Sequence, residues 1–362
     1  MPHQITVTKT WGSRALLTLA LLLLGGCATP PPAPETTPRI FPDPPAEPRF
    51  IFERILRYSD NVAVESTGER LKRLATGGQK ELKGIVKPYD IAVTNNRVYI
   101  TDTVQQAVLL FDIPGHRYLE FGRKDPGALV KPTGIAISAN NEVFVCDVST
   151  RTVVVYDLEG HYRRTIGSAK TLQKPVDVAI DSSRNRLYVV DTGGIESQQH
   201  GIHLFDLTTG EYLKTIGRRG DQPGEFNLPL QATVTPDGTL YVVDSGNFRV
   251  QAFHPDGSFK LTFGTLGRYP GQFARPKGIG ADRDGNLYVV DTAFGNFQIF
   301  NGQGELLMFI GERSQSSRPG AYMLPAGITV DENGRIYVAD QFFRKVDVYR
   351  PAGLAENTDQ QK

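Results

Sequence analysis

Six aspartates, Asp102, Asp147, Asp191, Asp244, Asp291 and Asp340, each end a short apolar run such as VYITD, VFVCD or LYVVD, at intervals of roughly 44 to 53 residues. Carboxylates at recurring positions suit three kinds of chemistry. Two in unlike environments make an acid and a base, several that converge hold a hard cation, and a single one at a strand end accepts backbone N–H groups from the next loop. Six equivalent copies favour the last role for each aspartate. Asp244 is therefore expected to accept hydrogen bonds from the loop 245–247, leaving the variable Asn247, Phe248 and Arg249 as the candidate binding residues of that stretch.

A second set is basic. Lys87, Lys131, Lys174 and Arg275 each precede a proline at the start of a run, while Leu228 and Leu324 hold the same position elsewhere. Four cations at equivalent positions would ring an opening and attract an anion. The plainer reading is that proline starts a strand without losing a hydrogen bond and the basic stems cover its end. Phe342, Phe343 and Arg344 are a further candidate patch for a partner. His200 and His203 lie close enough in sequence to bind a metal only with help such as Glu196, whereas His116, His161 and His254 fall at turns. HExxH, GxSxG and a phosphate-binding glycine loop are absent from the sequence. Cys146, inside an apolar run, reads as a buried small hydrophobe.

The elements that position these residues repeat with them. Each unit reads as a run such as KPTGIAIS or LPAGITVD, an Asn or Gly turn, the run ending in aspartate, a loop, a run such as RVQAF, a second turn, and a final run such as FKLTFG. These are antiparallel strands, four to a unit, the pattern of propeller blades. An aromatic follows the aspartate after nine residues in five units (Phe111, Tyr156, Phe253, Phe300, Tyr349), and after an insertion in the third (Phe205). The sixth unit lacks a fourth strand. The orphan run PRFIFERILR at 48–57 supplies it and closes the ring. The expected fold is all-β, a six-bladed propeller of four-stranded antiparallel blades over 49–350. Residues 49–57 form the closing strand, 58–83 a linker with a short helix, and 351–362 a flexible tail.

The repeated units resemble NHL repeats, and the chain resembles bacterial lipoproteins with a six-bladed NHL or TolB-like propeller. Such propellers include interaction modules, RNA-binding modules, amidating lyases and lactonase-like hydrolases. Resemblance to the lactonases implies a central calcium, for which Asp102, Asp191, Asp244 and Asp291 are the candidates. Resemblance to the amidating lyases implies a histidine-centred metal site, and no comparable set falls on one face.

The first residues differ in kind. Lys9 and Arg14 lead into ALLTLALLLL and then Leu24-Gly25-Gly26-Cys27. This is an export signal over 1–26, too short to span a membrane, and its end resembles the lipobox of bacterial lipoproteins, which implies lipidation of Cys27. Ala28 in the next position implies the outer membrane, facing the periplasm. Residues 27–48, rich in proline, form an extended tether. Loss of Lys9 and Arg14 with the signal moves the formal charge from +1 to -1, which excludes nucleic acid as an electrostatic partner. The sequence reading is thus a lipid-anchored, non-catalytic binding or scaffold protein that engages an envelope protein or glycan through its long-loop face, without cofactor. The alternative is a calcium-type hydrolase or lyase with its site at the channel mouth.

Overall fold

Alternating runs rich in Val, Ile, Tyr and Phe form six antiparallel sheets arranged as blades in the computed structural model, which describes residues 38–355 apart from 66, 80–81 and 195–196. The signal segment, Cys27, the first part of the tether, Glu196 and the end of the tail lie outside the described residues.

Blades one to five occupy 88–121, 132–166, 175–216, 229–263 and 276–310, each with its strands in sequence order. Blade six takes three strands from 325–351 and its outermost full strand from Phe50–Leu56, which pairs antiparallel with Lys345–Pro351. The ring is therefore closed by joining the two ends of the folded region, as the orphan run predicts. Between the closing strand and blade one, a helix spans Thr67–Thr76.

One piece of the expected tether belongs to the fold. Ile40–Phe41 adds a short fifth strand outside Phe50–Leu56, and Phe41 is buried with its ring edge-on to Tyr349, 5.5 Å away. Proline content hid this segment, because a two-residue strand leaves no periodicity to read. The aromatics that follow each aspartate are buried in all six blades.

Six apolar clusters hold the ring, each straddling a boundary between neighbouring blades. The cluster linking blades six and one unites Leu56, Val346 and Tyr337 with Ile91, Ile100 and Leu109. Burial of such side chains contributes roughly 1.5–3 kcal/mol each. At blade ends the packing demands glycine: Gly122 has a φ of +81°, and a Cβ there would lie 2.5 Å from Leu129 Cδ1.

Because the inner strand runs away from the connections between blades, those connections share one face with the loops between second and third strands. The tight turns lie on the opposite face. The long-loop face is where the six aspartates end their strands.

Candidate functional site

The six repeated aspartates are fully buried and their oxygens are already used. Asp102 Oδ2 accepts from the N–H groups of Val86 and Lys87 at 2.7 and 2.8 Å, and Oδ1 from Val104 and Gln105 at 3.1 and 3.0 Å. Asp147, Asp291 and Asp340 repeat this four-bond pattern. Asp191 reproduces it with Gln173, Lys174 and Gly193, and its carboxyl is held below the usual range because His203 and these N–H groups outweigh the upward push of burial. Each carboxylate ties the entry of its blade's inner strand to the loop that follows the second strand. Asp102, Asp191, Asp244 and Asp291 consequently do not converge, and the calcium set implied by resemblance does not form.

Asp244 is the exception in detail. It accepts from Asn227 N, Asn247 Nδ2, Arg249 Nε and Gln251 Nε2 at 2.7, 2.8, 2.9 and 3.1 Å, and not from the backbone of the loop 245–247 as expected. Three polar side chains replace the backbone donors there, and Phe248 turns the chain at a φ of +56°. Asn247 also donates to Gly220 O, and Arg249 to Gln222 O and Glu225 O. Asn247 and Arg249 are thus committed within blade four, while Phe248 is half-buried. Phe342 is 54% exposed and meets the half-buried Phe343 edge-on at 5.2 Å, with Arg344 exposed beside them. His203 lies 3.6 Å from Asp191 and bonds Thr215, while His200 Nδ1 accepts from Leu228 N. Among the described residues, no three His, Cys, Asp or Glu side chains gather as a metal site. Cys146 is buried, and burial raises its thiol.

The chemistry lies nearer the axis. In all six inner strands the register with the second strand shifts just after the initial proline. Bulges of this kind free a residue from the ladder and re-aim its side chain. The third residue of the six strands is Asp90, Gly134, Asp177, Gln231, Gly278 and Gly327 in blade order. Six strands crowd the axis, so three polar side chains fit only because three neighbours are glycine. A Cβ on Gly327 would lie 2.5 Å from Asp90 Oδ1, one on Gly134 would overlap Asp177 Oδ1, and one on Gly278 would lie 2.3 Å from the Ala326 backbone oxygen as well as 2.9 Å from Gln231 Oε1.

Asp90, Asp177 and Gln231 are 6%, 2% and 1% exposed and line one end of a channel cavity of about 190 Å³, whose walls are otherwise mainly Ile, Val and Ala. Asp90 Oδ2 accepts from Ile135 N at 3.1 Å and Asp177 Oδ2 from Ala232 N at 2.8 Å, each reaching into the next blade. Asp177 Oδ1 and both amide atoms of Gln231 are buried and make no well-formed hydrogen bond, although both side chains lie near enough to Asp90 to act on its charge. Such groups are costly unless something bonds them. Burial pushes Asp90 up to about 6, against the pull of the Ile135 and Ile91 N–H groups. Burial and then the Asp90 charge carry Asp177 well above the usual carboxylate range. Two carboxyls raised in this way hold a proton near neutrality.

Three oxygen donors from Asp90, Asp177 and Gln231, two of them with unpartnered atoms, suit a hard cation such as calcium, which takes carboxylate and amide oxygens and completes its shell with water. The residues present fit that group, although they are not the aspartates that resemblance suggested. Their signal was in the sequence, as Asp, Gln or Gly at the fourth position of KPYD, KPTG, KPVD, LPLQ, RPKG and LPAG. No local spacing marks it, because the three polar positions fall in different units and glycine holds the equivalent position in the other three.

A family model described as a 6-bladed beta-propeller matches residues 79–174, and an NHL repeat model matches 226–253. Over 49 residues the chain is 45% identical to the human (Homo sapiens) E3 ubiquitin-protein ligase TRIM32, a match covering 14% of this chain and only 8% of that protein. It is similar in structure to a Xanthomonas campestris gluconolactonase, with a TM-score of 0.56 and 17% identity over 74% of this chain and 86% of that one. A Staphylococcus aureus virginiamycin B lyase gives a TM-score of 0.53 and 16% identity over 75% and 85%. At these identities the likeness establishes the fold. It also overturns the expectation of a non-catalytic binding or scaffold protein, which rested on the absence of a recognisable catalytic set. Lactonase and lyase build this architecture, and the channel carries a carboxyl pair that no local motif announced. The weight given to a lipoprotein with a protein-binding role is corrected with it. The chain is a six-bladed β-propeller with an NHL-repeat region.

Proposed function

We propose that this protein is a metal-assisted hydrolase or lyase whose reaction centre is the channel end formed by Asp90, Asp177 and Gln231. The observation that carries the reading is the convergence of two buried carboxyls and an amide, flanked by three glycines, including oxygens that no backbone donor satisfies. Asp90, Asp177 and Gln231 would hold the cation, and calcium bound there supplies a positive charge that polarises a substrate oxygen.

The remaining roles belong to the chain. Beside a bound cation Asp90 is ionised, because cation and proton compete for its oxygens, and an oxygen turned away from the cation can accept a proton. In hydrolysis it takes one proton of the attacking water as the hydroxyl adds to the acyl carbon. When the acyl–oxygen bond breaks, Asp90 returns that proton to the leaving oxygen. In elimination it takes the proton from carbon and returns it to the departing group. Asp177 and Gln231 orient the oxygen under attack, and the apolar channel wall limits water to the mouth.

Turnover of a panel of lactones and aryl esters, neutral and carboxylate-bearing, by the purified protein, with calcium and with chelator, tests this. Activity that requires the cation and falls at least ~100-fold in Asp90→Asn is expected. A folded wild type that turns over none of the panel, or an Asp90→Asn variant as active as its parent, would refute it.

A further inference from the structure

Lys277 is the second residue of the inner strand of blade five, yet its Nζ stands 4.4 Å from the centroid of the Tyr89 ring in blade one. Blade six lies between. The side chain leans across the mouth on the side where the third positions are Gly278 and Gly327, so the empty half of the glycine–polar ring gives it room. It is half-buried and has no hydrogen bond or ion pair to a carboxylate; the groups that bear on its charge are Asp90, Arg275 and Lys87.

Around it, the rim is of one sign. Lys87, Lys131, Lys174 and Arg275 are all exposed at the starts of their strands. Their N–H groups are held by Asp102, Asp147, Asp191 and Asp291, but their side chains enter none of the ion pairs found among the described residues. The other two rim positions are Leu228 and Leu324, so no acid interrupts the collar. In a chain of near-zero net charge, like charges that converge on one opening repel one another until an anion joins them.

Resting on the reading of the mouth as a reaction centre, we propose that the substrate is a small anion. Its oxyanion group, a carboxylate or a phosphate, sits on Lys277, and the collar of Lys87, Lys131, Lys174 and Arg275 draws it in. The group to be cleaved then lies over Asp90 and Asp177. Lys277 loses its charge near pH 8, chiefly because burial disfavours the ammonium, so the seat weakens as pH rises through that value.

Calorimetric titration of the full chain at pH 7 with succinate, with inorganic phosphate and with uncharged succinamide tests the proposal. At least one of the two anions is expected to bind, identifying the oxyanion, and succinamide is not. Binding is expected to weaken at least tenfold in Lys277→Met and at pH 9, and to be retained in Lys277→Arg, which controls for folding. Absence of binding by both anions, or equal binding by wild type and a folded Lys277→Met, would overturn it. Turnover distinguishes this failure from failure of the reaction-centre reading. Neutral esters cleaved as well as their carboxylate-bearing analogues, in an Asp90-dependent way, defeat the anion proposal alone. Anion binding at Lys277 without turnover of any lactone or ester, neutral or charged, defeats the reaction-centre reading alone.

Discussion

Gly134 and Asp177 face each other across the boundary of blades two and three with no space for a methyl group: a Cβ on Gly134 would overlap Oδ1 and stand 2.9 Å from Cγ. The requirement for glycine here comes from space rather than from a left-handed backbone. Gly134→Ala is expected to displace the carboxylate and, because the Cβ would also stand 2.4 Å from Asp177 Cα, the strand that carries it, costing about 1–3 kcal/mol of stability and at least tenfold in kcat/KM. Urea denaturation and kinetics on the same preparation check it, and unchanged activity would contradict the placement of Asp177 in the site.

Gln231 offers an oxygen to a cation and no charge. Gln231→Leu is expected to fold, since it removes two unpartnered buried atoms. It should also lose most of the rise in Tm that calcium gives the wild type, a rise that follows from binding to the folded state alone. Thermal melts across a calcium titration decide this, and a Tm response equal to that of the parent rules Gln231 out as a ligand.

The carboxyl pair gives stability a pH dependence of definite sign. Asp90 binds its proton more tightly folded, near pH 6, than unfolded, near about 4. The folded state therefore carries the extra proton between those values, and stability declines as pH rises through that window. Asp177, also raised, extends the decline upward. In chelator, denaturation midpoints measured from pH 4 to 7 are expected to show this fall, which flattens in the Asp90→Asn, Asp177→Asn double variant. Cation affinity runs the other way and rises with pH, because proton and cation compete for the same oxygens.

Loss of a blade aspartate is structural in effect. Asp340→Ala leaves the N–H groups of Met323, Leu324, Phe342 and Phe343 without their acceptor, and a cost of about 3 kcal/mol or more is expected. Asp244→Ala additionally strands Arg249, whose side chain is 13% exposed, so its cost is expected to be at least as large. Chemical denaturation with circular dichroism measures both; a change below about 0.5 kcal/mol in either would show that the carboxylate is dispensable.

Much of this architecture was legible because it repeats. Asp102 and its five counterparts, with a buried aromatic after each, set the register of every blade, and the unpaired run at 48–57 foretold how the ring closes. The contribution of Phe41 was not legible, since one side chain docking on Tyr349 leaves no pattern in a proline-rich stretch. The channel residues were hidden for a different reason. Asp90, Asp177 and Gln231 come from three blades and meet only through the curvature of the ring, so no local spacing joins them. Lys277 was passed over because Arg275 occupies the strand-start position that the other units draw attention to, whereas it is the side chain two residues later that crosses the mouth.

The strand Phe50–Leu56 is also a mechanical seam. A pull on the chain ahead of it meets first the short pairing of Ile40 and Phe41 with Ile51 and Phe50, and once that is lost the pairing of Phe50 with Pro351, running along to that of Leu56 with Val346. Peeling that strand leaves blade six with three strands and uncovers the boundary with blade one, where Leu56 packs beside Ile91. Ile91 is the neighbour of Asp90, so the strand that closes the ring packs against the same inner strand that carries one of the two channel carboxyls.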